Sequence, residues 1–432
     1  MEILLVLLVS ALGLFLGFLV IKFLSVHPTQ MSLYLMVTCV IFFIILGTVA
    51  FGLDGPFRWL ASGTILLTFL AGYAWTARNV LSREDDRPVP ALTRQRGEPG
   101  KGHTAVVYFT HGEPETYDPI GWINQFREFD EQNIPFVPFL VRPLFLNALR
   151  QHYLIVGRSN HRHTHFQMLK SLERSFREAG DTTTRFYISF LDDNPRPDAA
   201  VIQALNEGAS SIVVAEVFVS VSNHTAEGKS LIEELDLDGL PVELHFTDPL
   251  WDSETLHHMF VERVEKYLDG MDRSKVGIML VGHGQPDEWD VEWPTETEHE
   301  IEFRKRILKC FEAAGFPPEN LSLAWMEFKE PKPAPKVEEF VARGIEKIFY
   351  FSAAISADSM HSQYDVPHLV SKARIPEHFP IINLGAWNDD PLVIQAIREK
   401  IEPYLSIPLE IDNDLEYSIK RSIPDSELQD QS

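Results

Sequence analysis

The chain spells one phrase twice, and that duplication constrains its fold more than any single motif. Val281-Gly282-His283-Gly284-Gln285-Pro286-Asp287-Glu288 in the second half answers Phe109-Thr110-His111-Gly112-Glu113-Pro114-Glu115-Thr116 in the first. Each follows a short apolar run, residues 105–109 and 276–281. Such runs read as buried parallel strands. A His-Gly turn at the carboxyl end of a strand directs an imidazole into the crevice where open α/β sheets bind ligands. The glycine lets the backbone turn sharply there.

The repeat extends well beyond the phrase. Residues 185–190, then Pro195, Pro197 and a helix over 198–207, lead through Gly208 into a second strand at 211–219. Residues 321–328, then Pro331, Pro333 and a helix, lead through Gly344 into a strand at 347–355. A further helix is expected near 167–179. This βαβ rhythm predicts an α/β protein with two Rossmann-like parallel-sheet domains related by the internal repeat. Both second strands end in a polar turn with a histidine, Ser222-Asn223-His224-Thr225 and Asp358-Ser359-Met360-His361-Ser362. Each half therefore offers a pair: His111 with His224, and His283 with His361.

Residues 1–77 read as membrane. The stretches 3–21, 31–51 and 57–77 are nearly free of charge and long enough to cross a bilayer as three retained helices. Lys22, Arg58, Arg78, Arg83, Arg87, Arg94, Arg96 and Lys101 set the orientation, with residues 78 onward in the cytoplasm. Residues 78–103 form a basic linker expected to lie against anionic lipid. The two α/β halves span 104–250 and 251–407, and 408–432 is an acidic tail. A formal net charge of −24 argues against nucleic acid as a partner. With two cysteines, neither a disulfide framework nor a cysteine-based metal site is available.

Histidines at matching places in two repeats point to metal binding or proton transfer, because neutral imidazole ligates divalent transition metals and titrates near neutrality. Asp287, Glu288, Asp290 and Glu292 either hand a cation toward His283 or form a solvated acidic loop. His161-Arg162-His163-Thr164-His165 looks like a metal tract but reads better as a polar helix start. His257, His258 and His299 are expected on exposed helix faces. Trp289, Trp293 and Tyr364 either stack on a flat ligand or belong to the core. The aromatic, proline-marked stretch 120–158 is expected to be irregular, either a lip over the site or a packed excursion. No G-x-S-x-G elbow supports a hydrolase.

The soluble part resembles the ferrochelatases of the class II chelatase superfamily over about 105–405. The resemblance rests on Gly112-Glu113-Pro114-Glu115, Phe136-Val137-Pro138-Phe139-Leu140, Tyr153-Leu154-Ile155-Val156-Gly157-Arg158-Ser159 with Thr164 and Gln167, and the segment from Ala357 to Asp365. It implies two Rossmann-like domains with a porphyrin cleft between them, and places the family's catalytic histidine at His283. The family's second segment normally carries a histidine and, two residues on, a glutamate; here Ser359 and His361 stand there. In its paired histidines the chain is also similar to the sirohydrochlorin cobalt- and nickel-type chelatases. The resemblance implies a lyase, here anchored by its apolar spans, that inserts a divalent metal, Fe2+ or else Co2+ or Ni2+, into a tetrapyrrole, protoporphyrin IX in haem biosynthesis being the first expectation. His283 and His361 would be catalytic, and His111, His224, His283 and His361 metal-binding, with no organic cofactor. The expected partners are the tetrapyrrole, the metal and the lipid bilayer. The oligomeric state carries no sequence signal. Sirohydrochlorin metallation and a non-catalytic metal or tetrapyrrole carrier stay open as alternatives.

Overall fold

Three helices open the chain: α1 (Glu2–Ser25), α2 (Pro28–Phe51) and α3 (Gly55–Leu81). The computed structural model describes residues 1–84, 87–131, 134 and 137–405. All three helices are long and apolar enough to cross a membrane. Pro28 and Pro56 sit in first turns, where a missing N–H costs nothing. α3 runs on to Leu81, past its expected end at 77. α1 and α3 touch backbone to backbone through Gly17 and Gly72. A Cβ on Gly72 would lie 2.1 Å from the Leu14 oxygen, and one on Gly17 2.3 Å from the Phe69 oxygen. Small residues give membrane helices this close approach. Gly72→Leu should therefore cost about 1–3 kcal/mol by overpacking, read as a lower unfolding midpoint of the reconstituted protein. An unchanged midpoint would show that the two helices need not touch.

The α/β part holds two parallel sheets. The first contains β1 (His103–Thr110), β2 (Arg185–Phe190), β3 (Ala209–Glu216) and β4 (Glu243–Phe246), in the order β2-β1-β3-β4. The second contains β5 (Val276–Gly282), β6 (Leu321–Trp325), β7 (Lys347–Ser352) and β8 (Ile381–Asn383), in the order β6-β5-β7-β8. The same order in both sheets is the sequence duplication expressed as topology. The sequence pattern does not predict the short edge strands β4 and β8. The first half carries α4 (Ile120–Glu131), α5 (Arg142–Val156), α6 (His161–Glu178), α7 (Pro197–Glu207), α8 (Asn223–Glu233) and α9 (Glu254–Glu265). The second carries α10 (Asp287–Glu292), α11 (Pro294–Ala313), α12 (Pro333–Ala342), α13 (Val366–Ser371) and α14 (Pro391–Leu405).

Alternate residues of each central strand serve different cores, as a pleat with both faces covered requires. Val106 and Tyr108 of β1, with Ile278 and Leu280 of β5, face one core shared by the two sheets. Leu172 of α6, Phe260 of α9, Phe303 of α11 and Ile397 of α14 fill it. Val107 and Phe109 face an outer core with Val201 and Leu205 of α7. Met279 and Val281 face another with Val337 and Phe340 of α12.

Residues 120–158, expected to be irregular, are largely helical. α4 buries Ile123, Phe126 and Phe129 at helical spacing, which the aromatic density of this stretch had obscured. Three arginines of the basic linker turn to protein rather than lipid. Arg94 is buried and donates to the carbonyls of Ala209 and Pro241, Arg87 donates to Leu191 O, and Arg96 pairs with Asp236. The acidic tail from 408 lies outside the described residues.

Candidate functional site

β1 and β5 are the strands at which each sheet's connections reverse direction, one neighbour lying on either side. That is where open sheets leave a crevice at their carboxyl edge. Both His-Gly turns sit there, and the glycines are dictated by close backbone approach. A Cβ on Gly112 would lie 2.5 Å from the Asp193 nitrogen, and one on Gly284, at φ +84°, 2.6 Å from the Glu327 oxygen. The Glu300 carboxylate holds the second turn by accepting from His283 N at 2.6 Å and Gly284 N at 3.3 Å.

The pairs anticipated from sequence come together. The rings of His283 and His361 are 5.2 Å apart between centroids, and those of His111 and His224 are 4.8 Å apart, both edge-on. His283 Nδ1 lies 2.7 Å from Gly284 O, and His111 Nδ1 lies 2.9 Å from Gly112 O. A carbonyl oxygen only accepts, so each Nδ1 carries the proton. In the neutral ring of His283 the lone pair is then on Nε2. His224 opens α8, and His361 opens a single π-helical turn, His361–Asp365.

The electrostatics set the members of the second pair apart. Burial, with the neighbouring His361, lowers the pKa of His283 and keeps it neutral. Burial also works against charge on His361. The hydrogen bond from its Nδ1 to Asp365 Oδ2 at 2.8 Å overcomes that, and with the charges of Asp365, Glu327 and Glu113 pushes it up to about 9. His224 is held well below its ordinary value by burial and by His111 and His283. The His224 ring also lies 6.4 Å from that of Trp289, which follows the second His-Gly turn, so the first pair borders the second. A neutral base beside a cationic partner is an arrangement that moves protons. Among the described residues, no three His, Cys, Asp or Glu side chains converge as a preformed metal cage.

Four acidic or histidine positions emerged only from the structure. Asp192 follows β2 by two residues, and Glu327 follows β6 by two. Asp192 Oδ2 lies 3.2 Å from His111 Nε2, and the Glu327 charge acts on both His283 and His361. Aligning Phe190 with Trp325, whose N–H groups both donate to a following proline carbonyl, would have paired these two acids. Glu113 crosses between halves: its carboxylate accepts from Met360 N at 3.0 Å and Ser159 Oγ at 2.8 Å. Burial raises its pKa, with His361, Ser159, Met360 and His111 opposing. His152 stacks on Tyr364 at 4.0 Å and lies 3.4 Å from the other Asp365 oxygen.

Other expectations are corrected. His161 does open a helix, but it and His165 are buried, with their Nε2 atoms 3.2 Å apart and Tyr108 Oη at 2.8 Å from His165 Nδ1. Burial lowers both, His165 to about 3. His163 between them is exposed. His257 is buried with Nε2 2.9 Å from the Trp251 carbonyl, and His299 is half-buried and stacks on Trp251; His258 is exposed as expected. Trp289 is a core residue packed on Phe129, and Tyr364 is engaged by His152 and His368. Asp287 and Asp290 share an ion pair with the single cation of Lys329, while Glu288 and Glu292 are exposed.

The sequence model described as Ferrochelatase matches residues 103–405. No curated protein matches the chain. Among solved structures, SirB from Bacillus subtilis with Fe3+ is 12% identical, with TM-score 0.44, covering 73% of this chain and 98% of that one. The sirohydrochlorin chelatase SirB from Bacillus subtilis subspecies spizizenii in complex with cobalt is 12% identical, with TM-score 0.38, covering 69% and 94%. CbiX, the terminal enzyme of sirohaem biosynthesis in denitrifying bacteria, is 13% identical, with TM-score 0.39, covering 70% and 100%.

Proposed function

Because the chain belongs to the ferrochelatase family, we propose that it is a membrane-held chelatase that inserts Fe2+ into protoporphyrin IX at the His283–His361 pair. The observation that carries this reading is His283 Nδ1 at 2.7 Å from Gly284 O, which leaves the lone pair on Nε2, set against His361 with its Nδ1 2.8 Å from Asp365 Oδ2. Insertion exchanges two pyrrole N–H protons for one divalent metal. His283 Nε2 accepts a proton from the macrocycle or donates its lone pair to the arriving metal. His361 joins as metal partner only after losing its proton, so metal arrival and proton release are linked. Absorbance during anaerobic incubation of the full chain with protoporphyrin and Fe2+ tests the assignment: the visible bands shift on metallation, and static bands would overturn it.

Sirohydrochlorin metallation by Co2+, Ni2+ or Fe2+ is the second reading. It is favoured by the near-equal geometry of the two histidine pairs and by a histidine at 361. The same assay with sirohydrochlorin separates the two. Binding without turnover in every pairing would identify a carrier instead.

The linkage predicts a pH effect. Asp365→Asn removes the negative charge that helps raise His361 and leaves only a neutral acceptor, so His361 loses its proton at lower pH. The acidic limb of kcat/KM against pH should move down by about one unit or more. A limb that stays put would place the controlling group elsewhere.

The membrane assignment rests on the three apolar helices, and the cytoplasmic placement on the basic residues after α3. Protease added to sealed inverted vesicles should degrade the α/β part and spare α1–α3.

A further inference from the structure

Where the membrane-length helices meet the α/β part, the chain encloses a cavity of about 120 Å³. Three elements wall it: the last turn of α3 with Arg78 and Leu81, α4 with Arg127 and Asp130, and the entry to α5 with Phe139 and Arg142. Three guanidinium groups thus line one small space with a single carboxylate among them. Converging like charges repel, the more so away from bulk water. An anion in their midst turns that repulsion into attraction.

Asp130 does not supply that anion for all three. Its carboxylate is taken up by Arg142, accepting from Nη1 at 2.6 Å and also from Nη2, and this hydrogen bonding holds its pKa below the ordinary value. Arg142 is itself buried, donates from Nε to Val137 O at 2.9 Å and lies over the Phe126 ring at 5.0 Å, so it is fixed before any ligand arrives. Arg127 makes one hydrogen bond, from Nη2 to the Arg83 carbonyl at 2.6 Å. Among the described residues, the Arg78 side chain has no hydrogen bond or ion pair. Most donors of Arg78 and Arg127 are therefore left for a ligand. Guanidinium forks match the oxygens of a phosphate group two at a time.

We propose that Arg78, Arg127 and Arg142 form a binding site for a phosphate group. The depth of the cavity points to a lipid head group as its source. α3 has 27 residues, about 40 Å at 1.5 Å per residue, against a hydrocarbon core of about 30 Å. The excess, shared between its ends, puts its last turn at the level of the head groups. Phe139, 40% exposed beside the arginines, offers an apolar contact to the glycerol end of a lipid. The choice of lipid over free phosphate rests on the reading that α1–α3 cross a membrane; the phosphate chemistry does not, and neither depends on the reaction proposed above. Ile123, Phe126 and Leu146 already share a core with Ile21, Ala77 and Val80. A phosphate held by α3, α4 and α5 at once adds a polar tie between the anchor and the α/β part.

The test uses the full chain in neutral detergent, with retained ligand read from the intact mass. The probes are dioctanoylphosphatidic acid, dioctanoylglycerol, which lacks the phosphate, and inorganic phosphate. The native chain should retain one equivalent of the phosphatidic acid and no dioctanoylglycerol. Arg78→Gln with Arg127→Gln should weaken retention by about tenfold or more. Arg96→Gln, whose partner is the exposed Asp236, should leave it unchanged. Arg78 is exposed and Arg127 half-buried, so the double variant should keep the native unfolding midpoint without lipid. If it does not, Arg78→Gln alone decides, with an expected loss of about threefold. Equal retention by the native chain and the variant overturns the site, as does equal retention of the two lipids. Failure of the native chain to retain either phosphatidic acid or phosphate overturns it too. With the site established, displacement of the lipid by inorganic phosphate at equal concentration makes free phosphate the occupant, and persistence of the lipid makes it the head group.

Discussion

His283→Ala removes metal insertion, lowering kcat by about 10²–10⁴-fold, the usual contribution of a positioned proton acceptor. Porphyrin binding stays near the native value, because the substitution trims one ring from a crevice wall and leaves the strand intact. The loss follows from geometry: Gly284 O fixes the proton on Nδ1, and Glu300 fixes the backbone that carries the ring. A glutamine at 283 would reach the same region but offer no titrating lone pair, so it should fail as well. Quenching of porphyrin fluorescence measures binding, and the shift of the visible bands measures turnover. Near-native turnover in the alanine variant would sink the assignment. His111→Ala answers a separate question. A small effect would mark the first pair as a remnant of duplication, and a comparable loss would mean that both pairs work.

The parts of this design that repeat along the chain were legible without coordinates. The duplicated phrase located β1 and β5, and the matching polar turns located His224 and His361. The three apolar stretches were equally plain, because twenty uncharged residues in a row have few other uses. What stayed hidden depends on tertiary contact. Glu113 meets Met360 across the whole length of the α/β part, and no local pattern announces such a pairing. Asp365 matters because it lies one turn after His361, at a four-residue spacing, with Oδ2 2.8 Å from a ring that is packed beside His283, and that packing is what the local sequence does not show. His161 and His165 were misjudged because a polar helix start and a buried histidine pair have the same local sequence; only Tyr108 and the shared core decide between them. α4 and α5 were obscured by the aromatic density of their stretch, whose Trp122, Phe126 and Phe145 pack with the ends of α1 and α3 as well as with one another.

Glu113→Ala should be the most damaging change outside the histidines. The carboxylate accepts from Met360 N and Ser159 Oγ, and Tyr153 Oη lies at 3.4 Å. Met360 immediately precedes His361, so Glu113 is the strut by which the first half sets the position of a histidine in the second. Alanine leaves the Met360 N–H and the Ser159 hydroxyl without this acceptor, at about 1–3 kcal/mol for a buried group. The π-helical turn then loosens and His361 drifts from His283. Misplacement of a reacting group by about an ångström is worth up to 10²-fold in rate, so kcat should fall by about ten- to a hundredfold. Glu113→Gln separates strut from charge. Its oxygen still accepts from Met360 N, and its amide donates to Ser159 Oγ, so the turn holds. The lost negative charge lowers the pKa of His361, because Glu113 is one of the groups that raise it. The glutamine variant should therefore keep most of its kcat at high pH, with the acidic limb moved to lower pH. Native rate and native pH profile in the alanine variant would show that the halves hold His361 in place without Glu113. Equal losses in both variants would make the charge, not the strut, its contribution.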